Sequence, residues 1–205
     1  MSEANEAVHN ENKYVFNCMN TDKICIFTDT GKMHTIKAVD IPLGRFRDKG
    51  TPVDNLSNYD SSQERMLYVA PVGQLRSDRL LFVTKTSMCK LVEGAEFDVA
   101  KRTIASTKLA DEDELIFIGS ASEMEQIVLQ SHGGCFLRFL AQEVSTMKKT
   151  ALGVRGMKLA DDDYLEHAYL LAGHQEYTIS YHDKEYALNK VRLAKRDTKG
   201  IKPRI

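Results

Sequence analysis

The 205-residue sequence lacks most of the arrangements on which enzymes and metalloproteins rely. Its four cysteines, Cys18, Cys25, Cys89 and Cys135, form no CxxC pair, so neither a zinc site nor a redox pair is supported. Reduced, partly buried thiols are the expected state. Its six histidines, at 10, 34, 132, 167, 174 and 182, make no HxxxH or HExxH spacing. Gly133-Gly134 is followed by no GK[ST] and no helix pattern, so it is not a phosphate loop. No serine stands in a GxSxG context. Asp161-Asp162-Asp163 lacks the spaced ligands of a calcium loop and reads as a polar turn. His132 reads as a turn residue, and His167, in an apolar run, as a core histidine. No apolar stretch approaches the ~18 residues of a membrane helix. The polar start Met1-Ser2-Glu3-Ala4-Asn5-Glu6 is not a signal peptide, and residues 1–13 are expected to be a disordered end or a cloning-derived extension. A formal net charge of −1 argues against indiscriminate nucleic-acid binding, and low-complexity linkers are absent.

What is present is a unit repeated every 45–55 residues or so. Short β-rich runs come in pairs: Lys23–Thr28 with Met33–Lys37, Arg79–Thr84 with Met88–Val92, Gln126–Gln130 with Cys135–Phe139, and Tyr177–Tyr181 with Glu185–Leu188. Asp29-Thr30-Gly31-Lys32, Lys85-Thr86-Ser87, Ser131-His132-Gly133-Gly134 and His182-Asp183-Lys184 are the turns; the second lacks glycine. A short helix fits 93–99 or 140–147, just before a basic stretch. The spacing predicts one all-β domain of about four four-stranded blades, near 14–75, 76–122, 123–173 and 174–205. Blades of this kind bury their faces only against neighbours, and the first and last are expected to be incomplete or to share strands.

Charge is unevenly spread. From Lys190 to Ile205 there are seven Lys/Arg against one acid, while acids cluster at Asp111–Glu114 and Asp161–Asp163. Basic stretches recur once per unit: Arg45-Phe46-Arg47-Asp48-Lys49-Gly50, Lys101-Arg102 with Lys108, Lys148-Lys149 with Arg155 and Lys158, and Lys190 to Lys202.

These units resemble the C-terminal domain of the A subunit of bacterial type IIA topoisomerases, the family of DNA gyrase A and its topoisomerase IV equivalent. The resemblance runs from about Tyr14 to the end. It is carried by Ile26–Lys32 with Asp40-Ile41-Pro42, by Gly50–Leu56, by Thr150–Leu159, and by Arg196–Lys202, a worn copy of the family's glycine-rich basic turn. It implies a β-pinwheel, a propeller-like disc whose neighbouring blades exchange strands. The implied role is non-catalytic binding and bending of double-stranded DNA, presented to the cleavage core for ATP-dependent strand passage. ATP and Mg²⁺ would be used elsewhere in the whole enzyme, and none of the tyrosines here would cut DNA. The implied partners are DNA, the N-terminal cleavage core and the ATPase B subunit. The domain itself is expected to be monomeric, off the membrane and cytoplasmic, with the nucleoid. The gyrase QRRGGKG-like box has no match, the second turn lacks its glycine, and Lys184–Lys190 replaces a Gly-Tyr-Gly-Lys-Arg-like segment. A topoisomerase IV-like parent therefore fits better than a supercoiling gyrase.

Wrapping DNA needs no nucleophile, only cations spaced along phosphates on a rigid curve. The candidates are Arg45, Arg47, Lys49, Lys101, Arg102, Lys108, Lys148, Lys149, Arg155, Lys158, Lys190, Arg192, Lys195, Arg196, Lys199 and Lys202. Gly50, Gly156 and Gly200 would let the backbone approach phosphates, and the acid clusters would face away or repel. Arg155 has a second reading, as a clamp pairing with Asp161 or Asp162. Two other classes stand beside this one. One is a protein-interaction propeller, consistent with the near-zero charge. The other is an enzyme with an axial funnel, for which no convergent polar set is present.

Overall fold

Each repeat opens with a hairpin whose strands are buried on both faces. The first is β1 (Lys23–Thr28) with β2 (Lys32–Lys37). The second is β4 (Arg79–Thr84) with β5 (Met88–Glu93), and the third β8 (Gln126–Ser131) with β9 (Phe136–Leu140). These assignments come from a computed structural model, which describes residues 12–45, 48–173 and 175–203. Double-sided burial explains the near-continuous apolar runs.

The three hairpin turns share one geometry. Gly31, Ser87 and Gly134 hold φ of 74°, 71° and 78°, and their amides donate to the carbonyls of Thr28, Thr84 and Ser131 at 3.1, 3.0 and 2.9 Å. The missing glycine of the second turn is thus no lost turn, because Ser87 takes the left-handed conformation at a cost of about 1–2 kcal/mol. Its hydroxyl accepts the Met157 amide at 2.7 Å, a buried bond that glycine could not make. Ser87→Gly should relieve the backbone yet orphan that donor, at about 1–3 kcal/mol. The expected net effect is a loss of about 1 kcal/mol in urea denaturation; a gain would show that the hydroxyl contributes little.

A third strand closes each blade: β3 (Met66–Pro71), β7 (Leu115–Ser120) and β11 (Leu165–Leu171) pair antiparallel with β1, β4 and β8. Acids arriving just before these strands cap the turns. Glu64 accepts the hydroxyls of Thr28 and Thr30 at 2.8 and 2.9 Å. Asp113 accepts the Thr86 amide and hydroxyl at 3.0 and 2.6 Å, and Asp163 the Gly133 amide at 2.9 Å. One acid of each cluster therefore fastens its own blade.

The fourth strand comes from the next repeat. β6 (Thr103–Ala105) pairs with β2, and β10 (Val154–Arg155) with β5, giving sheets ordered β3-β1-β2-β6 and β10-β5-β4-β7. On the third blade the chain at 193–201 takes this place through bridges Arg138↔Leu193 and Phe136↔Ile201. This exchange makes the architecture an all-β pinwheel of four blades. Among the described residues the strand numbers are four, four, three and two. The fourth blade is the hairpin β12 (Thr178–Tyr181) and β13 (Lys184–Ala187), two strands rather than the four expected. The expected short helices are 3-10 turns, Gly94–Phe97 and Ala141–Glu143; the one α-turn of the described chain is α1 (Val72–Leu75).

Side chains at one repeated position pin the exchanged segments. His34 lies between Glu64 at 2.8 Å and Thr103 at 3.0 Å. Burial opposes the Glu64 charge, but the two threonine hydroxyls, His34 and Lys32 together hold its pKa below the ordinary value. At the equivalent position Lys90, 1% exposed, donates to the carbonyls of Lys149 and Ala151 at 2.8 and 2.7 Å. Desolvation pulls its pKa down to about 8, with Glu96 opposing. The third blade has Leu137 there. Buried apolar clusters form between blades, one joining the first two, one the second and third, one the third and fourth.

Candidate nucleic-acid interface

The exchanged segments touch end to end. Residues 53–58 meet the first through Asn58 Nδ2, which donates to Thr103 Oγ1 at 3.0 Å, and Arg102, whose guanidinium reaches the Leu56 carbonyl at 3.4 Å. The first meets the second where the Lys108 amide donates to the Lys149 carbonyl at 3.1 Å. The second meets the third through the Met157↔Thr198 bridge and two amides, Lys158 to Thr198 O at 3.0 Å and Asp197 to Gly156 O at 2.7 Å. One continuous belt of backbone thus crosses the blades and carries almost every basic residue singled out by sequence. The cations lie on strand-exchange segments rather than on hairpin turns.

Their side chains divide into two groups. Lys101, Lys108, Lys158, Lys195, Lys199 and Lys202 are exposed, and among the described residues no hydrogen bond or ion pair occupies their ammonium groups. Arg45, Lys49, Lys190 and Arg192 are exposed too. Arg47 lies outside the described residues. The remaining candidates are engaged with protein. Lys148 reaches Glu96 at 3.4 Å, although its side chain stays 82% exposed. Lys149 donates to the Glu96 carbonyl at 3.0 Å, and Arg196 to the carbonyls of Glu143 and Arg155 at 3.1 and 2.6 Å. Arg155 is a clamp, but its partner is Asp197, not Asp161 or Asp162. The pair is bidentate, with Nη2 at 3.2 Å from Asp197 Oδ2, and it lowers the Asp197 pKa while raising that of Arg155. Asp197 lies three residues before Gly200, at a positive φ of 62° where spacing alone gave no sign of it.

The glycines also divide. Gly50 has φ 71° and open space around a notional Cβ. Gly156 is buried, and a Cβ there would lie 2.6 Å from both Cys89 Sγ and Leu129 Cδ1, so its small size serves packing between blades rather than phosphate approach. Gly200 abuts Cys135 Cβ at 3.0 Å for the same reason. A groove of about 420 Å³ opens where the second and third segments meet, lined by Cys135, Met157, Lys158, Lys199 and Gly200. His132 occupies its turn as expected and stacks on Tyr164 with ring centres 4.7 Å apart. His167, by contrast, is exposed on β11 and not a core residue. Among the described residues no cluster of three His, Cys, Asp or Glu forms a metal site, and no helix is long and apolar enough to cross a membrane.

The sequence profile of the family described as DNA gyrase C-terminal domain, beta-propeller, matches residues 22–61, 78–122 and 125–172, more than half of the chain. The gyrase A protein of Ureaplasma parvum serovar 3 is 27% identical over 184 residues, 87% of this chain and 22% of that protein. The chain spans about a fifth of the length of the curated relatives it matches. A crystal structure of the C-terminal domain of DNA topoisomerase IV superposes with a TM-score of 0.80 at 22% identity, covering 98% of this chain and 67% of that one. A DNA gyrase A C-terminal domain gives 0.66 at 22% identity, over 90% and 60%. With the strand-exchanged blades and the repeated basic segments, these matches show that the chain belongs to the DNA gyrase C-terminal domain family, the non-catalytic β-pinwheel domain of type IIA topoisomerase A subunits.

Proposed function

We propose that this domain binds double-stranded DNA along its belt and bends it, presenting a segment to the cleavage core of the parent enzyme for ATP-dependent strand passage. The observation that carries this reading is the continuity of the exchanged segments, which turns cations separated by about one repeat in sequence into neighbours along one surface. Their ammonium groups are free to replace the counterions of successive phosphates, and the rigid sheet behind them supplies curvature. The partners are DNA, the N-terminal core and the ATPase B subunit, in the bacterial cytoplasm, with the domain itself a monomer. The parent is a relaxing or decatenating enzyme, topoisomerase IV-like rather than supercoiling. Support for that finer reading is the lack of a gyrase-box run and the replacement of a glycine-basic turn by Lys184–Lys190. The glycine-free second turn no longer counts toward it, since Ser87 adopts the required conformation.

Anisotropy of a ~150 bp duplex across ~25–300 mM salt tests the reading. Micromolar or tighter binding at low salt, with a steep log–log loss, is expected from phosphate neutralisation. Cys135, half-buried in the groove beside Lys158 and Lys199, serves as a local reporter once exposed Cys18 is replaced by Ser. Cys25 and Cys89 are buried, their pKa pushed up to about 12, and stay silent. DNA should slow Cys135 alkylation several-fold. No binding at ~25 mM salt would favour instead a protein-interaction domain, for which Met19, Val39 and Leu43, exposed at 70%, 67% and 103% on the first blade, are the contact candidates.

A further inference from the structure

The belt's basic doublets repeat a detail that neither the sequence motif nor the family match assigns. Lys148-Lys149 and Lys195-Arg196 each follow, by one repeat-length loop, a 3-10 turn that ends a central strand: Gly94–Phe97 after β5, Ala141–Glu143 after β9. Glu96 and Glu143 occupy the same place in those turns. Glu96 Oε2 accepts the Lys149 amide at 3.1 Å while the Glu96 carbonyl accepts Lys149 Nζ at 3.0 Å. Glu143 Oε2 accepts the Arg196 amide at 3.0 Å while its carbonyl accepts Arg196 Nε at 3.1 Å. The two clamps match atom for atom and bridge the same sequence distance of 53 residues.

We propose that Glu96 and Glu143 are positioning residues of the DNA interface: they divide each doublet into a fixed cation and a free one, and so set where phosphates are held. The proposal rests on the DNA-binding reading above. Its physical basis is twofold. A cation whose head is committed to a backbone carbonyl cannot follow a phosphate, so Lys149 and Arg196 act as struts although sequence alone counts them as contacts. Anchoring the amide of the second residue also fixes the Cα of the first, so exposed Lys148 and Lys195 leave the belt at reproducible points. A charge-assisted bond to a backbone N–H is strong enough for that task. The clamp is absent at both ends of the repeat series. Asp40 takes the position on the first blade and is exposed, and Lys190 takes it on the fourth. Arg102 accordingly turns its guanidinium to the Leu56 carbonyl instead. Order in the belt is therefore imposed at its middle.

The test uses the whole chain and four variants, Lys195→Gln, Arg196→Gln, Glu143→Gln and Glu143→Ala. Amide hydrogen exchange at Arg196 reads the clamp without DNA. The salt slope of binding to a ~150 bp duplex reads phosphate contacts, and end-to-end energy transfer on a short duplex reads bending. Lys195→Gln should lower the slope by about 1, with Arg196 exchange unchanged. Arg196→Gln should leave the slope as it is. Glu143→Ala should raise Arg196 amide exchange roughly tenfold, reduce the bend and weaken binding about 3–10-fold, although removing an acid would by itself tighten it. Glu143→Gln keeps an acceptor oxygen and should stay near wild type in all three. The proposal is overturned if both Glu143 variants tighten binding with Arg196 protection intact, or if Arg196→Gln lowers the slope as much as Lys195→Gln. Should Glu143→Ala unfold the third blade, the Lys195 and Arg196 pair decides alone. No DNA binding by the wild-type chain overturns the DNA reading and this proposal together; binding with either adverse pattern overturns only this one.

Discussion

Reversing Lys108, Lys158, Lys195 and Lys199 to Glu in one variant is expected to lower affinity for a ~150 bp duplex by roughly 10³-fold near ~100 mM salt, from the counterion-release slope of about 0.9 per phosphate contact. These four lysines lie on all three exchanged segments, and among the described residues their ammonium groups hold no hydrogen bond or ion pair. The fold should therefore survive their reversal, and the melting temperature should stay within a few degrees of wild type. The loss should be similar for every DNA sequence, because backbone contacts carry no base information. A matched reversal at Lys37, exposed at the end of β2 and away from the belt, should cost little. Equal losses from the two variants would mean that net charge, not the belt, governs binding. Anisotropy with both proteins at one salt concentration separates the outcomes.

The second large effect concerns stability. Gly94→Ala should lower the unfolding free energy by about 3 kcal/mol or more, at or beyond the upper end of ordinary overpacking costs. A Cβ on Gly94 would lie 2.0 Å from the Leu75 carbonyl oxygen and 3.0 Å from that of Asp78. Both neighbours are backbone, and the Gly94 amide already donates to Asp78 O at 2.8 Å, so neither strand can step aside. The cost should spread, because the second blade shares one apolar cluster with the first and another with the third. Gly50→Ala is the contrast: its Cβ meets nothing within 4 Å, so only the left-handed backbone, φ 71°, opposes it, at about 1–2 kcal/mol. Urea denaturation of the two variants checks the ranking, and similar midpoints would refute the packing argument.

The hairpins and their turns were legible in the sequence because their signals are local: Gly31 and Gly134 mark the left-handed positions, and the strands between are apolar runs of five or six residues. Strand exchange was legible only through the family resemblance. β6 and β10 are three and two residues long, too short for any periodicity, and their partners lie one repeat earlier. For the same reason the basic stretches read as turns when they are the edges of another blade. Of the site, the sequence showed which cations recur but not which are occupied. Lys149 and Arg196 look like Lys148 and Lys195 until Glu96 and Glu143 are seen against them. Arg155 was matched to the nearest acids in sequence, yet its partner, Asp197, lies 42 residues away across a segment junction. His167 was misread because β11, though apolar overall, leaves two adjacent residues, Glu166 and His167, exposed at its bulge.

The offset between repeat and blade bears on how such a domain can grow or shrink. Because β6 and β10 leave their own repeat to complete the one before, the unit of duplication and the unit of folding are out of phase by a constant amount. A whole repeat inserted or deleted anywhere inside the series re-creates the same junction on either side, with the incoming strand finding an equivalent edge. A cut placed between blades, where a structural eye would put it, instead strips one blade of its border and leaves a loose strand on the next. Lineages of this domain can therefore change blade number in single genetic steps, while excising one intact blade requires breaking two.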